Sequence, residues 1–215
     1  MKRLLLILIH LATFTSLKSQ VKALTENGRE VILYENGTWK YVSGNEKEVS
    51  NGQDSIITNS HEFFKSEGAT FLVKSTRLNV GVYIDHTKWT FSAHKDNQVN
   101  PEFGFVLKSG QAYAMVLTEQ TEVPLLSLRK IALENAKEAA VDAKIVSSEY
   151  RYINNNKVLC LKFTGTIDGI RLKYFGYYYS NPNGTVQLVT YSTEKVFNGV
   201  NNELEIFLNG FTVIK

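Results

Sequence analysis

The second half of the chain carries the hydrophobic pattern of an antiparallel β-sheet. Apolar and β-branched residues alternate with polar ones in four successive runs, over residues 145–153, 157–167, 170–180 and 185–192. Short turn sequences separate the runs, namely Asn154-Asn155-Asn156, Asp168-Gly169 and Asn181-Pro182-Asn183-Gly184. Because connections this short can join only antiparallel neighbours, we predict four consecutive strands of one sheet.

Two segments carry helical periodicity instead. Pro124 suits the first helical position, and apolar residues follow it at steps of three and four, namely Leu125, Leu128, Ala132, Ala136, Ala139 and Ala143. The small alanines predict that this helix packs closely on the sheet. A second helix is predicted over residues 202–209, stops at Gly210, and has an apolar face formed by Leu204, Phe207, Leu208 and Phe211.

Strands are also predicted ahead of the first helix. Residues 69–76 form one strand, and residues 103–108 and 112–119 form a hairpin. Residues 80–93 are ambiguous, and one interpretation is a strand followed by a turn around Trp89. Residues 61–215 as a whole therefore predict an α+β domain, an antiparallel sheet layered with a mid-chain helix and a C-terminal helix.

A separate small unit is predicted over residues 20–42. Three short β-forming runs alternate with two Asn-Gly pairs, which tolerate the positive φ angles of tight hairpins, at Asn27-Gly28 and Asn36-Gly37. The pattern predicts a three-stranded β-meander, and a sheet this small is marginally stable alone. Residues 43–60 are polar, with only three aliphatic side chains, and predict a flexible linker.

The N-terminal residues 1–19 have the order of a secretory signal peptide. Lys2 and Arg3 precede the nearly continuous apolar run 4–14, and a small residue, Ser19, offers a cleavage point. The run is about half of the ~20 residues needed to cross a bilayer, and no later stretch reaches that length. We therefore expect export to the periplasm or the exterior of a bacterium, with no transmembrane segment in the mature chain.

Charge and cysteine content narrow the function classes. The chain has 24 Lys and Arg against 21 Asp and Glu, and three of its basic residues lie within residues 1–19, so the remainder is neutral. A neutral chain lacks the basic footprint of a nucleic-acid binder. The single cysteine, Cys160, excludes an intramolecular disulfide and lies inside a predicted strand, where a buried apolar role is favoured over a nucleophile.

Catalytic and metal-binding patterns are weak. One group of residues could gather around a metal ion in principle, namely Asp85, His86, His94, Asp96 and Glu102, but its spacing matches no compact metal motif and favours solvated loop residues. The chain has no Gly-x-Ser-x-Gly elbow, no phosphate-binding glycine loop and no dinucleotide fingerprint. We expect no cofactor and no enzymatic activity, and an envelope hydrolase using His86 or His94 stays as an alternative.

Aromatic residues are the most distinctive feature of the predicted sheet. Alternation places Phe175, Tyr177 and Tyr179 on one face of their strand and Tyr174 and Tyr178 on the other. One face must pack under the Pro124 helix. The other face is either core under a second layer or an exposed platform, since tyrosine combines apolar area with a hydroxyl. Under the platform hypothesis the ligand-binding residues are Tyr177, Tyr179 and Phe175.

Two resemblances extend this interpretation. Residues 30–41, EVILYENGTWKY, resemble a hairpin with the pattern G-x-x-V-x-L-x-(D/N)-(D/N)-G-T-W-x-Y that occurs in many bacterial envelope proteins, which implies export and no activity. Residues from Phe103 onward resemble the family that joins PsbP and Mog1. The features that carry this resemblance are Trp89 ahead of Phe103-Gly104-Phe105, the Pro124 helix, Tyr177-Tyr178-Tyr179-Ser180, Gln187-Leu188-Val189-Thr190-Tyr191 and Asn209-Gly210-Phe211. The resemblance implies a mostly non-enzymatic binding or assembly fold, and it transfers no functional residue.

These observations support three function hypotheses. The first is an exported, non-catalytic envelope protein whose α+β domain binds another envelope protein or a small ligand. The second is the hydrolase named above. The third is a carrier that holds a hydrophobic small molecule between sheet and helices, for which an apolar cavity would be the structural sign.

Overall fold

The protein is represented by a computed structural model that describes residues 21–24, 30–34, 39–42, 56–93 and 101–214. The predicted signal peptide and most of the predicted linker lie outside these residues. Within the described part of the chain, neither helix has the length and apolarity that a membrane crossing requires.

The strands of the described residues form three β-sheets. The first is the predicted antiparallel meander, formed by β1 (Val21–Leu24), β2 (Glu30–Leu33) and β3 (Trp39–Tyr41). The second has eight strands, β4 (Thr58–Phe63), β7 (Trp89–Ala93), β8 (Phe103–Leu107), β9 (Tyr113–Glu119), β10 (Lys144–Ile153), β11 (Asn156–Ile167), β12 (Ile170–Asn181) and β13 (Gly184–Thr193). The third has three strands, β5 (Phe71–Lys74), β6 (Val80–Ile84) and β14 (Phe211–Val213).

The large sheet has the order β4-β10-β11-β12-β13-β9-β8-β7. All of its neighbours are antiparallel except β4 and β10, which are parallel. Tight hairpins join β10 to β11 and β11 to β12, and their loop residues have positive φ angles, Asn154 at 48°, Asn155 at 66°, Asp168 at 49° and Gly169 at 76°. These are the residue types that a two-residue hairpin favours, so the predicted turns are confirmed.

Helices cover the two faces of the large sheet. Helix α1 (Leu125–Ala139) packs on β10, β11 and β12 and buries Leu128 and Ala132 against Leu161. Helix α2 (Glu194–Leu208) packs on the opposite face, on β12 and β13, and shares its core with the third sheet. The predicted α+β fold with a mid-chain and a C-terminal helix is therefore confirmed.

Several element boundaries differ from the prediction. Helix α2 begins at Glu194, because Phe197 and Val200 extend its buried stripe through a polar stretch of low helix propensity. Strand β4 begins at Thr58, inside the segment expected to be a linker. Helix α1 ends at Ala139, which is exposed, so within the helix only Leu128 and Ala132 of the predicted stripe are buried. Ala143, the last residue of that stripe, is buried but lies beyond the helix.

Tyr177 is a core residue and corrects the platform hypothesis. Its side chain is 1% exposed and its hydroxyl accepts a hydrogen bond from Arg151 Nη1 (3.0 Å) and donates one to Asn209 Oδ1 (2.9 Å). Arg151 is itself buried and ion-paired with Glu149 on β10 and Glu205 on α2. The network ties α2 to the sheet and leaves no surface at Tyr177 for a ligand.

The other two platform residues lie on the same covered face. Phe175 is fully buried, and Tyr179 is half-buried with its ring 5.2 Å from that of Phe211. Alternation assigned the three side chains to one face correctly. The prediction that these side chains are exposed was wrong, because α2 and the third sheet form a second layer over that face. Cys160 is buried there too, and burial raises the pKa of its thiol to about 12.

A buried carboxylate connects the third sheet to the large one. Glu102 accepts hydrogen bonds from the hydroxyls of Ser75 (2.8 Å), Thr76 (2.9 Å) and Thr118 (2.7 Å) and from the Thr76 N–H (2.6 Å). Burial alone would raise the pKa of the Glu102 carboxyl, but these four donors outweigh it and the pKa is lowered. The carboxylate thus stabilises the fold in its ionised form.

We predict that Tyr177→Ser lowers the free energy of unfolding by about 3–5 kcal/mol, because it removes a buried ring and the hydrogen bonds of its hydroxyl to Arg151 and Asn209. Tyr113→Ser, at a position that is 40% exposed, should cost less than about 1 kcal/mol. Urea unfolding monitored by circular dichroism measures both. Equal losses for the two variants would contradict the placement of Tyr177 in the core.

We predict that Glu102→Gln destabilises the protein by about 1–3 kcal/mol at pH 7, since an amide satisfies fewer of the donors. The folded-state pKa of Glu102 is below its unfolded value, so its contribution is full above about pH 4.5 and is lost as the pH falls through the folded-state pKa. The difference from wild type in urea unfolding should therefore shrink under acid. Glu119→Gln, at an exposed position, is the control and should match wild type throughout.

Candidate functional site

Three tyrosines form a row across neighbouring strands on the α1 face of the large sheet. Tyr174 on β12 pairs directly with Tyr191 on β13, which pairs directly with Tyr113 on β9. Their ring centroids lie 5.6 Å apart for Tyr174 and Tyr191 and 5.4 Å apart for Tyr191 and Tyr113. We call these three residues the tyrosine row. Tyr113 is exposed and the other two are half-buried.

The row is partly open because the main contacts of α1 are with β10, β11 and β12. Directly opposite Tyr113, on β8, lies Val106, which is also 40% exposed. On the other side of the row, Phe163 on β11 pairs with Tyr174 and is buried beneath α1. The row therefore leads from solvent to the edge of the helix.

A cleft of about 210 Å³ lies where the row meets α1. Its sheet side is formed by Met115, Leu117, Phe163, Thr164, Gly165, Tyr174, Tyr178, Gln187 and Val189. Its helix side is formed by Ala132, Asn135, Ala136, Ala139, Ala140 and Ala143. We call this space the helix–sheet cleft. Each helix-side alanine projects only a methyl group, and this leaves the volume unfilled.

The helix–sheet cleft is an uncharged environment. None of the described residues that line it is acidic or basic, and its polar groups are the amides of Asn135 and Gln187 and the hydroxyls of Thr164 and the tyrosines. Burial raises the pKa of Tyr174, Tyr178 and Tyr191, so their hydroxyls stay neutral up to strongly alkaline pH. The cleft can accept apolar surface and a few hydrogen bonds, and it offers no counter-charge.

A second, more open cavity of about 520 Å³ separates the meander from α1. Its wall includes Ala23 and Leu24 on the meander and Pro124 and Ile131 on the helix side. Lys130 on α1 bonds to Glu30 on β2 at 2.9 Å, and that hydrogen bond is the main reason that the pKa of Glu30 is lowered. The meander thus docks on α1, through an ion pair that is largely exposed to solvent.

The proposed metal and hydrolase residues do not come together in the described part of the chain. His86 is exposed on the turn before β7, and the neighbouring Asp85 accepts hydrogen bonds from the Thr87 N–H and hydroxyl. Glu102 is held by its own hydroxyl donors, and His94 and Asp96 lie outside the described residues. No group of three His, Cys, Asp or Glu side chains that could hold a metal ion occurs among the described residues.

The candidate residues predicted from sequence and those at the cleft lie on opposite faces. Phe175, Tyr177 and Tyr179 face α2, whereas Tyr174 and Tyr178 line the cleft. Alternation correctly assigned Tyr174 and Tyr178 to the face opposite Phe175, but sequence reasoning did not single them out as site residues. It missed Tyr113 altogether, because its pairing with Tyr191 depends on β9 lying next to β13.

Comparison with known proteins addresses the fold. No family model and no curated protein matches the sequence. The structure is similar to cyanobacterial PsbP (CyanoP) from Synechocystis, with a TM-score of 0.54 and 11% identity over 67% of this chain and 93% of that one. At this identity the similarity shows the fold alone, so the chain has a PsbP-like fold, as the sequence resemblance implied.

Two further solved structures are similar at lower scores. LpqN, involved in cell envelope biogenesis of Mycobacterium tuberculosis, has a TM-score of 0.47 and 8% identity over 67% of this chain and 90% of that one. A protein from Bacteroides thetaiotaomicron has a TM-score of 0.43 and 12% identity over 68% of this chain and 49% of that one. The PsbP-like assignment therefore depends on the match to the Synechocystis protein.

Proposed function

We propose that this chain is an exported, non-catalytic binding module that holds an uncharged hydrophobic small molecule in the helix–sheet cleft. The observation that carries the proposal is the continuity between the cleft, lined without any charged residue, and the tyrosine row beside it. Apolar ligand sites with a few placed polar groups have this composition. Of the three hypotheses above, the carrier is the one that this geometry favours.

The volume of the cleft limits the size of the ligand that it can enclose. A cavity of about 150 Å³ suffices for one benzene ring, whereas drug-sized ligands need about 300–1,000 Å³. The cleft, at about 210 Å³, fits one ring or a short branched alkyl group. A longer molecule would extend from the cleft over Tyr191 and Tyr113, whose rings give apolar contact and whose hydroxyls can bond to a polar end.

The lining also argues against catalysis in the cleft. General acid–base chemistry and nucleophilic attack are most often carried by His, Cys, Asp, Glu or Lys, and a Ser, Thr or Tyr hydroxyl takes part when a neighbouring base activates it. The described lining has no His, Cys, Asp, Glu or Lys to act as such a base. Its hydroxyls are those of Thr164, Tyr174 and Tyr178, and burial raises the pKa of both tyrosines, which keeps them protonated. This composition supports binding without chemical change.

We predict that the protein binds the uncharged dye N-phenyl-1-naphthylamine and increases its fluorescence. Ala136→Trp fills the cleft and should weaken binding at least about tenfold, a loss of ~1.4 kcal/mol. Val141→Trp adds the same ring at a site that is 92% exposed and should leave binding unchanged. Tyr191→Ser should weaken binding without unfolding the protein, which thermal denaturation checks. Full binding by both Ala136→Trp and Tyr191→Ser would contradict the proposal.

The export part of the proposal rests on the pattern of residues 1–19 and is tested separately. We predict that bacterial cells producing the full chain release a product that begins at Gln20, as measured by intact mass of the envelope fraction. Leu6→Arg interrupts the apolar run and should leave an unprocessed protein inside the cell, whereas Leu6→Ile should be processed normally. An unprocessed wild-type chain would disprove export without affecting the proposal for the cleft.

A further inference from the structure

Strand β7 ends the large sheet. It pairs with β8 on one side, and among the described residues no strand pairs with its other side. An unpaired edge presents a row of backbone donors and acceptors, which are a ready template for pairing with another extended strand. Natural proteins protect such edges with charged residues or proline, but the residues of β7, Trp-Thr-Phe-Ser-Ala, include neither.

The hydrogen-bond pattern identifies which backbone groups face outward. The Lys108 N–H donates to the Lys88 carbonyl at 2.8 Å, so in this antiparallel ladder the bonded pairs recur two residues further along, at Thr90 with Val106 and at Ser92 with Gly104. The residues between them point the other way. The N–H and C=O groups of Phe91 and Ala93 therefore face away from β8.

Trp89 is only partly available at this edge. Its N–H donates to the carbonyl of Asp85 at 2.9 Å, which leaves its C=O as the outward-facing group. The outward backbone groups are thus the carbonyl of Trp89 and both groups of Phe91 and Ala93. They form a short strand template with Phe91 at its centre.

Exposed aromatic rings flank this template. Phe91 is 43% exposed and Phe71, on the edge strand β5, is 44% exposed, with their ring centroids 5.7 Å apart. His86 lies 6.2 Å from Phe71 between ring centroids and is also exposed. An apolar surface therefore lies beside the unpaired backbone groups, and both would be covered by the same added strand.

We propose that β7 pairs antiparallel with β7 of a second copy of this chain, across a two-fold axis through Phe91. Such pairing is self-complementary: each Phe91 N–H donates to the Phe91 carbonyl of the other copy, and each Ala93 N–H donates to the other copy's Trp89 carbonyl. The strand carries no charge, and the whole chain has a formal net charge of only +3, so repulsion between copies is small.

The short strand sets the strength of the contact. Five residues from each copy bury less than the ~1,000 Å² of a stable interface, even with Phe91 and Phe71 included. We therefore expect a weak dimer, with a dissociation constant of about 10–1,000 μM. The dimer would join two large sheets edge to edge and leave both helix–sheet clefts accessible, since the clefts lie toward β11 and β12.

Sedimentation of the protein as produced by the cell, from micromolar to millimolar concentration, tests the proposal. The wild-type protein should shift from monomer to dimer as its concentration rises. Ala93→Pro removes one outward N–H without breaking a bond to β8 and should weaken the dimer at least about tenfold. Phe91→Lys should stay monomeric. Val106→Lys, which places the same charge on β8, is its control and should dimerise normally.

Oxidative cross-linking tests the register. In a bonded antiparallel pair the opposing Cα atoms lie about 5.5 Å apart, within disulfide reach. Phe91→Cys should cross-link two copies, and Val106→Cys should not. If the wild-type protein is monomeric at every concentration, the proposal is overturned, and the partner of this edge would have to be a strand of a different protein. A dimer that persists in Ala93→Pro and does not cross-link through residue 91 would overturn it as well.

Discussion

The architecture depends on covering both faces of one wide sheet. Eight strands spaced by about 4.8 Å extend over about 34 Å, whereas a helix with its side chains is about 10 Å across. One helix therefore covers two or three strands. On one face, α2 and the third sheet together bury Phe175, Tyr177 and Leu188. On the other face α1 covers β10 to β12, and the strands beyond it remain partly open.

The unequal cover explains why similar residues have different roles on the two faces. Tyr177 is enclosed, and its hydroxyl joins a buried network with Arg151 and Asn209. Tyr174, three residues earlier and on the other face, lies at the margin of α1 and stacks toward Tyr191. The chemistry of the two side chains is the same. The layer above each one decides whether it is enclosed in the core or stays partly exposed.

The sequence predicted the elements that local patterns determine and missed those that depend on tertiary contacts. The four late strands and their turns were confirmed, because alternation and positive-φ residues act within a few positions. Strand β4 was missed, since it is polar and is held by parallel pairing with β10, which is far away in sequence. The tyrosine row was missed for the same reason: β9 precedes α1 in the chain but lies beside β13 in the sheet, so no local pattern brings Tyr113 to Tyr191.

The helix–sheet cleft follows from where α1 and the sheet touch most closely. A Cβ atom at Gly165 would lie 2.9 Å from the Cβ of Ala140, so only glycine allows this approach. The contact fixes the distance between helix and sheet at the C-terminal end of α1. At the other end, Leu128 fills the same gap with a large side chain. Between these two contacts the helix presents alanines such as Ala136. Their small methyl groups border the cleft opposite Val189 and Met115 and leave its volume unfilled.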